Sequence, residues 1–180
     1  RPLPVRQEKR GVVASPSSFR RLAPEEPFAI IGERINPTGK KALQAELRAG
    51  KFDLVREFAV EQSARGAALL DVNFGLSGID ETAMMRAGVA ELVRLGSTPL
   101  CIDSTRPETV EAALRLYPGR ALLNSISAEE ERLKKVLPIA AKYGAMLILL
   151  PLTDDGIPET AEARLEVLRR ILEEAARYGY

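Results

Sequence analysis

Phe28-Ala-Ile-Ile-Gly-Glu-Arg-Ile-Asn-Pro-Thr-Gly-Lys-Lys41 sets the fold question for the whole chain. Its first part, 28–31, is a short apolar run and predicts a strand buried on both faces. Its second part delivers Glu33, Arg34 and Asn36, followed by a turn signal at Pro37 and Gly39. A buried strand that ends in a carboxylate and an amide makes one wall of a site. The rest of the chain must supply the others.

The same pattern recurs outward from this stretch. Apolar runs at 67–75, 99–105, 121–126 and 145–150 predict four more strands. Helical patterns fall between and after them, at 40–48, 53–65, 81–95, 107–117, 127–143 and 159–177. In the third of these, Met84, Met85, Val89, Leu92 and Val93 fall at helical spacing, and the methionines read as core filler. Pro107 suits a first helical turn with Thr105 as its cap, and Ser127-Ala-Glu-Glu130 reads as a capping box. Pro138 predicts a kink or break. The result is βα repeated five times without hairpin turns, which means an α/β fold with a parallel sheet. Two architectures compete, a doubly wound open sheet and a TIM-type (β/α)8 barrel. Five units cannot close eight strands, so a barrel would be present only as its first five βα units.

Composition narrows the function classes. The chain has 180 residues, 46% apolar and 28% charged, enough for one domain with a sizeable core. A formal charge of +1 gives no global case for nucleic acid or an anionic membrane. Residues 1–21 carry six basic side chains against Glu8 alone, without interleaved aromatics beyond Phe19. With Pro2, Pro4, Pro16 and Pro24, residues 1–26 read as a basic, proline-rich interdomain linker without helix or strand, and 27–180 as the folded domain. The lone Cys101 lies in an apolar run and reads as packing. No histidine is present, so a His base or His metal ligand is excluded. No signal peptide or bilayer-length apolar run is seen, and a cytoplasmic location is the expectation.

The position of the polar residues decides the site. Each apolar strand is followed at its C-terminal end by groups a core does not want: Glu33 and Asn36, Asp71 and Asn73, Asp103 and Ser104, Asn124 and Ser125, Thr153 and Asp154. In parallel α/β folds all strand C-termini share one face, and that face carries the active site. Helix capping accounts for Asp80, Thr105 and Ser127. It does not account for Asp71, Asp103 and Asn124, where an unpaired polar group would cost about 1–3 kcal/mol. Carboxylates and amides in this number suit a flat, donor-rich heterocycle better than a phosphate. The phosphate-binding glycine fingerprints are missing, and Asp71, Asp103 and Asp154 lack diagnostic metal spacing.

Gly-Glu-Arg-Ile-Asn-Pro-Thr-Gly-Lys-Lys (32–41), Leu-Asp-Val-Asn-Phe-Gly (70–75), Ile-Asp-Ser-Thr (102–105) and Leu-Asn-Ser-Ile-Ser (123–127) resemble the pterin-binding barrels. Within them the likeness is strongest to the methyltetrahydrofolate-binding domain of cobalamin-dependent methionine synthases, in order and spacing over about residues 27–180. Corrinoid/iron–sulfur protein methyltransferases share the first two segments. Dihydropteroate synthases share the fold, but their Asn-x-Thr-Pro-Asp-Ser-Phe loop is replaced here by Asn36-Pro-Thr-Gly-Lys-Lys41, which argues against that activity. The resemblance implies that Asp103 and Asn124 hydrogen-bond the pterin ring, that Glu33 and Asn36 line the same pocket, and that Asp71 and Asn73 lie in or behind it. It implies transfer of the N5 methyl group of 5-methyltetrahydrofolate to cob(I)alamin held on a separate domain, within methionine synthesis. The partners it implies are the homocysteine-binding and cobalamin-binding domains of one modular enzyme. A further pterin-binding Asp and an Asn near N5 are expected on later strands than this chain holds. A non-catalytic, truncated barrel is the remaining alternative.

Overall fold

The computed structural model describes residues 11–180. Two three-residue strands come first, β1 (Val12–Ala14) and β2 (Phe19–Arg21), paired antiparallel. There follow β3 (Ile31–Ile35), α1 (Lys41–Arg48), α2 (Asp53–Ala64), β4 (Leu69–Val72), α3 (Glu81–Leu95) and β5 (Leu100–Asp103). The chain continues with α4 (Pro107–Leu116), β6 (Leu122–Ser127), α5 (Glu130–Tyr143), β7 (Met146–Leu150) and α6 (Ala161–Arg177). The main sheet is parallel throughout, in the order β3-β4-β5-β6-β7. Each strand lies beside its successor in the chain. A doubly wound sheet reverses its order at a switch point, and this one does not. The architecture is therefore the TIM-type barrel wall, in five βα units.

Strand alternation divides the side chains between two cores. Leu70, Val72, Leu100, Ile102 and Leu123 face the helices and join one large cluster with Leu47, Val55, Met85, Val89, Val110 and Leu137. Leu69, Cys101 and Leu122 face the other way and pack with Val13 of β1 in a second cluster. Cys101 is fully buried there as packing, and burial pushes its thiol well above the usual range. The concave face of the sheet is thus apolar at its N-terminal end.

Two expectations about the first part of the chain are corrected. The first strand of the sheet is not 28–31 but Ile31–Ile35, and Phe28 is 90% exposed. The ladder to β4 pairs Ile31 with Leu69 and Ile35 with Val72, so Glu33 and Arg34 sit inside the strand at a register shift. Part of the expected linker is folded: β1 and β2 form a hairpin, while residues 1–10 of that linker lie outside the described residues. The hairpin is held by distant contacts, namely an Ala14–Arg120 bridge, an Arg120 Nη1 bond to Val12 O at 3.1 Å, and Tyr117. The Tyr117 hydroxyl donates to Ala14 O at 3.0 Å and accepts from Leu100 N at 3.1 Å. A side chain at Gly119 would stand 2.2 Å from Ala14 O, so only glycine lets the hairpin approach.

Capping departs from expectation in the same way. Ser127 pairs with Leu150 as the last residue of β6, so the strand takes it from the helix and α5 starts beyond Glu129. Thr105 caps nothing; α4 starts after Arg106, with Pro107 in its first turn. The helix α5 runs unbroken through Pro138 and ends at Gly144, whose φ of 66° is a left-handed cap. Asp80 caps α3 as expected, accepting from Ala83 N at 3.0 Å.

Candidate functional site

The six residues singled out at the strand ends form three pairs, in each of which an asparagine amide donates to a carboxylate. Asn36 Nδ2 reaches Glu33 Oε1 at 2.8 Å, Asn73 Nδ2 reaches Asp103 Oδ2 at 2.8 Å, and Asn124 Nδ2 reaches Asp71 Oδ1 at 3.2 Å. A carboxylate can only accept, so each pairing fixes which way its amide points. The carbonyl oxygens of Asn36 and Asn73 are taken by Thr38 N and Gly75 N, at 2.9 and 2.8 Å. Among the described residues, no bond to the Asn124 carbonyl oxygen is formed. That oxygen is left as an acceptor.

The neighbourhood is acidic and layered. Asp71 is 3% exposed, and burial pushes its carboxyl up; the Cys101 thiol and the Asn124 amide oppose that shift, while Asp103 and Glu33 add to it. Asp71 stands beside Cys101 in the β4–β5 ladder, and Asp103 beside Asn124 in the β5–β6 ladder. The concave face therefore changes from apolar (Leu69, Cys101, Leu122) to polar (Asp71, Asp103, Asn124) within one layer of side chains. Glu33 and Asn36 belong to the more exposed margin on β3 and the turn after it. Arg34, in the same segment, points away: it pairs with Glu61 and stacks 4.3 Å above the Phe58 ring on α2.

A cleft of about 900 Å³ borders this layer at Asp103, Asn124, Ser125 and Arg132 and continues along α4 and α5 past Glu111, Lys135 and Ile139; Glu33, Asn36 and Asn73 are not among the residues lining it. That is the size range of small-molecule sites. Asp71 lies behind it, under Asn124. Two of the expected rim groups are spent on structure: Asp154 Oδ2 accepts from Glu130 N at 3.2 Å at the start of α5, and Thr153 closes a turn with Gly156. Among the described residues no group of three or more Asp, Glu, Cys or His side chains could hold a metal ion.

Residue order alone does not single out Arg132. It lies in the first turn of α5, where a cation opposes the helix dipole, and that misplacement is the signal the sequence carried. Its guanidinium donates to the carbonyls of Ser104, Thr105 and Ser125, at 2.5–3.3 Å. Burial pulls it below its ordinary range, against the attraction of Glu129 and Asp103. Ser104, 3% exposed, also donates to Glu81 Oε1 at 2.5 Å, which ties the β5 loop to the start of α3.

Residues 32–178 match the family described as pterin binding enzyme. Over 179 residues the chain is 29% identical to methionine synthase from Mycobacterium tuberculosis, covering 93% of this chain and 15% of that protein. Over 155 residues it is 32% identical to methylcorrinoid:tetrahydrofolate methyltransferase from Eubacterium limosum, covering 83% of this chain and 56% of the relative. Among solved structures, 7,8-dihydropteroate synthase from Vibrio fischeri superposes with a TM-score of 0.65 at 14% identity, over 93% of this chain and 62% of that one. The dihydropteroate synthase of Stenotrophomonas maltophilia gives 0.58 at 21% identity, over 84% and 55%. At these identities the structural likeness concerns the fold.

Proposed function

The chain belongs to the pterin-binding enzyme family, and from that premise we propose that its cleft holds the pterin ring of 5-methyltetrahydrofolate for methyl exchange with a corrinoid. The observation that carries this reading is the acceptor pair formed by Asp103 and the Asn124 carbonyl oxygen on adjacent strands. The 2-amino group and N3–H of a pterin are neighbouring donors on one edge of a flat ring. Two adjacent acceptors, one of them a carboxylate, match that edge and no phosphate. Asn73 and Asp71 hold the two acceptors in place, and Glu33 and Asn36 would meet the ring from β3 and the turn after it, outside the cleft's own lining.

Binding in this way fixes the ring and so points N5 along one direction. N5 must gain a proton by the transition state, because an amine anion is a poor leaving group. None of the six residues is proposed as that proton donor; their part is to bind and orient. Cobalamin, carried on a separate domain, would supply the nucleophile for the methyl group. The relatives' names include both a methionine synthase and a methylcorrinoid:tetrahydrofolate methyltransferase, and the same pocket serves transfer to or from the folate. Homocysteine-binding and cobalamin-binding domains are the partners we propose, and a cytoplasmic setting goes with them. No described helix is long and apolar enough to cross a membrane.

Calorimetric titration of the full-length protein with 5-methyltetrahydrofolate tests the reading, with Asp103→Ala and Asn124→Ala beside the wild type. Unchanged affinity in both variants would sink it. A dihydropteroate synthase would instead condense p-aminobenzoate with a pterin pyrophosphate, and no product is expected from that assay.

A further inference from the structure

The two acceptors stand on separate strands, and each is followed at once by a residue whose carbonyl is held by the same guanidinium. Asp103 precedes Ser104, and Asn124 precedes Ser125. Arg132 Nη1 donates to Ser104 O at 3.3 Å and to Thr105 O at 2.7 Å; Nη2 donates to Ser104 O at 3.2 Å and to Ser125 O at 2.5 Å. Arg132 forms no ion pair among those the described residues make, although Glu129 follows β6 closely and Asp103 is near enough to attract it. A half-buried cation that spends its donors on main-chain carbonyls is serving geometry rather than charge balance. The planar fork matters here, because one rigid group reaches both the residues after β5 and Ser125 of β6.

We infer that Arg132 is a positioning residue for pterin binding, clamping the residues just after β5 to Ser125 within β6 so that Asp103 and the Asn124 side-chain carbonyl face the ligand edge together. The inference rests on the proposed function of the cleft and deepens it. No contact between Arg132 and the ring is required. The Arg132 clamp sits opposite the Tyr117 contacts, which hold the same strand, β5, at its other end. Between these two ends β5 has little freedom to slide.

The test is calorimetric titration of the full-length protein with 5-methyltetrahydrofolate, in wild type, Arg132→Met, Arg132→Lys, Asp103→Asn and the double variants, with thermal midpoints recorded for each. Arg132→Met is expected to weaken binding about tenfold to a hundredfold, the cost of a small misplacement of binding groups. Arg132→Lys is expected to lose less, because one strand end can still be held. In the Asp103→Asn background, Arg132→Met is expected to cost less than about threefold, since neighbours that act through one another are not additive. A purely structural loss would act equally in both backgrounds. Equal fold-losses with and without Asp103, or unchanged affinity in Arg132→Met, would overturn the role. If Arg132→Met does not fold, the cycle of Arg132→Lys with Asp103→Asn reads the same coupling. Wild type that binds no pterin overturns the function of the cleft and this role with it, whereas wild-type binding with additive losses overturns the role alone.

Discussion

Asn73 Nδ2 donates to Asp103 Oδ2 at 2.8 Å, joining the end of β4 to the end of β5. The bond takes one oxygen of Asp103 and leaves the other to the cleft. Removing it with Asn73→Ala is expected to weaken pterin binding by roughly ten- to a hundredfold, the worth of a hydrogen bond to a charged group, about 1.5–3 kcal/mol. Titration calorimetry reads the loss, and an affinity within about twofold of wild type would contradict the role given to Asn73.

Gly88 on α3 predicts a substitution with a reversed sign. Gly→Ala inside a helix ordinarily gains about 1 kcal/mol. Here the new methyl would stand 2.2 and 2.3 Å from ring atoms of Phe74, which is fully buried and packed edge-on to Phe52 at 6.1 Å. Overpacking costs about 1–3 kcal/mol and wins. Gly88→Ala should lower the thermal midpoint by a few degrees, and because Phe74 follows Asn73 it should also weaken binding.

Tyr117 predicts a loss of stability without a loss of binding. Tyr117→Phe removes the hydroxyl that serves both Ala14 O and Leu100 N, leaving a buried N–H unpaired at a cost of about 1–3 kcal/mol. This contact lies at the end of the barrel wall away from the cleft. Denaturant unfolding should show the loss, and the affinity for 5-methyltetrahydrofolate should stay as it was.

Asp71 gives the pH dependence. Burial raises its carboxyl above the ordinary 3.8, so the folded chain holds the proton to higher pH than the unfolded chain does. Stability from this group is fully present below the unfolded value and is lost as pH rises through the folded one. Asp71→Asn removes that dependence while still accepting from Asn124. The midpoint of Asp71→Asn minus that of wild type should therefore grow as pH is raised from about 4 toward 7. A difference that is flat or shrinks over that range would contradict the assignment.

Much of this arrangement was legible in the residue order. Glu33, Asn36, Asp71, Asn73, Asp103 and Asn124 all end apolar runs, and a parallel sheet necessarily brings such ends to one face. Their pairing was not legible, since which amide meets which carboxylate depends on register between strands. The hairpin of β1 and β2 was hidden for a related reason. Three-residue strands have no periodicity to read, and theirs are stabilised by Tyr117, Arg120 and the floor around Leu69, all distant in sequence. Apolar content alone points to 28–31 as the first strand, whereas Ile31–Ile35 forms it, and Glu33 and Arg34 are tolerated there because both are exposed. Ser127 looked like a cap because its neighbours fit a capping box, but its ladder position opposite Leu150 decided otherwise.

Pterin recognition in this cleft rests on Asp103 and the Asn124 side-chain carbonyl reading the donor edge of the ring. The direct measurement is the affinity of the full-length protein for 5-methyltetrahydrofolate and for its counterpart lacking the 2-amino group, in wild type and in Asp103→Asn. A site built to bond an N–H strongly rejects a ligand without it. Wild type should prefer the natural folate by about a hundredfold or more, and Asp103→Asn should lose most of that preference. Equal binding of the two ligands by the wild type, or a preference that survives in Asp103→Asn, would contradict the account.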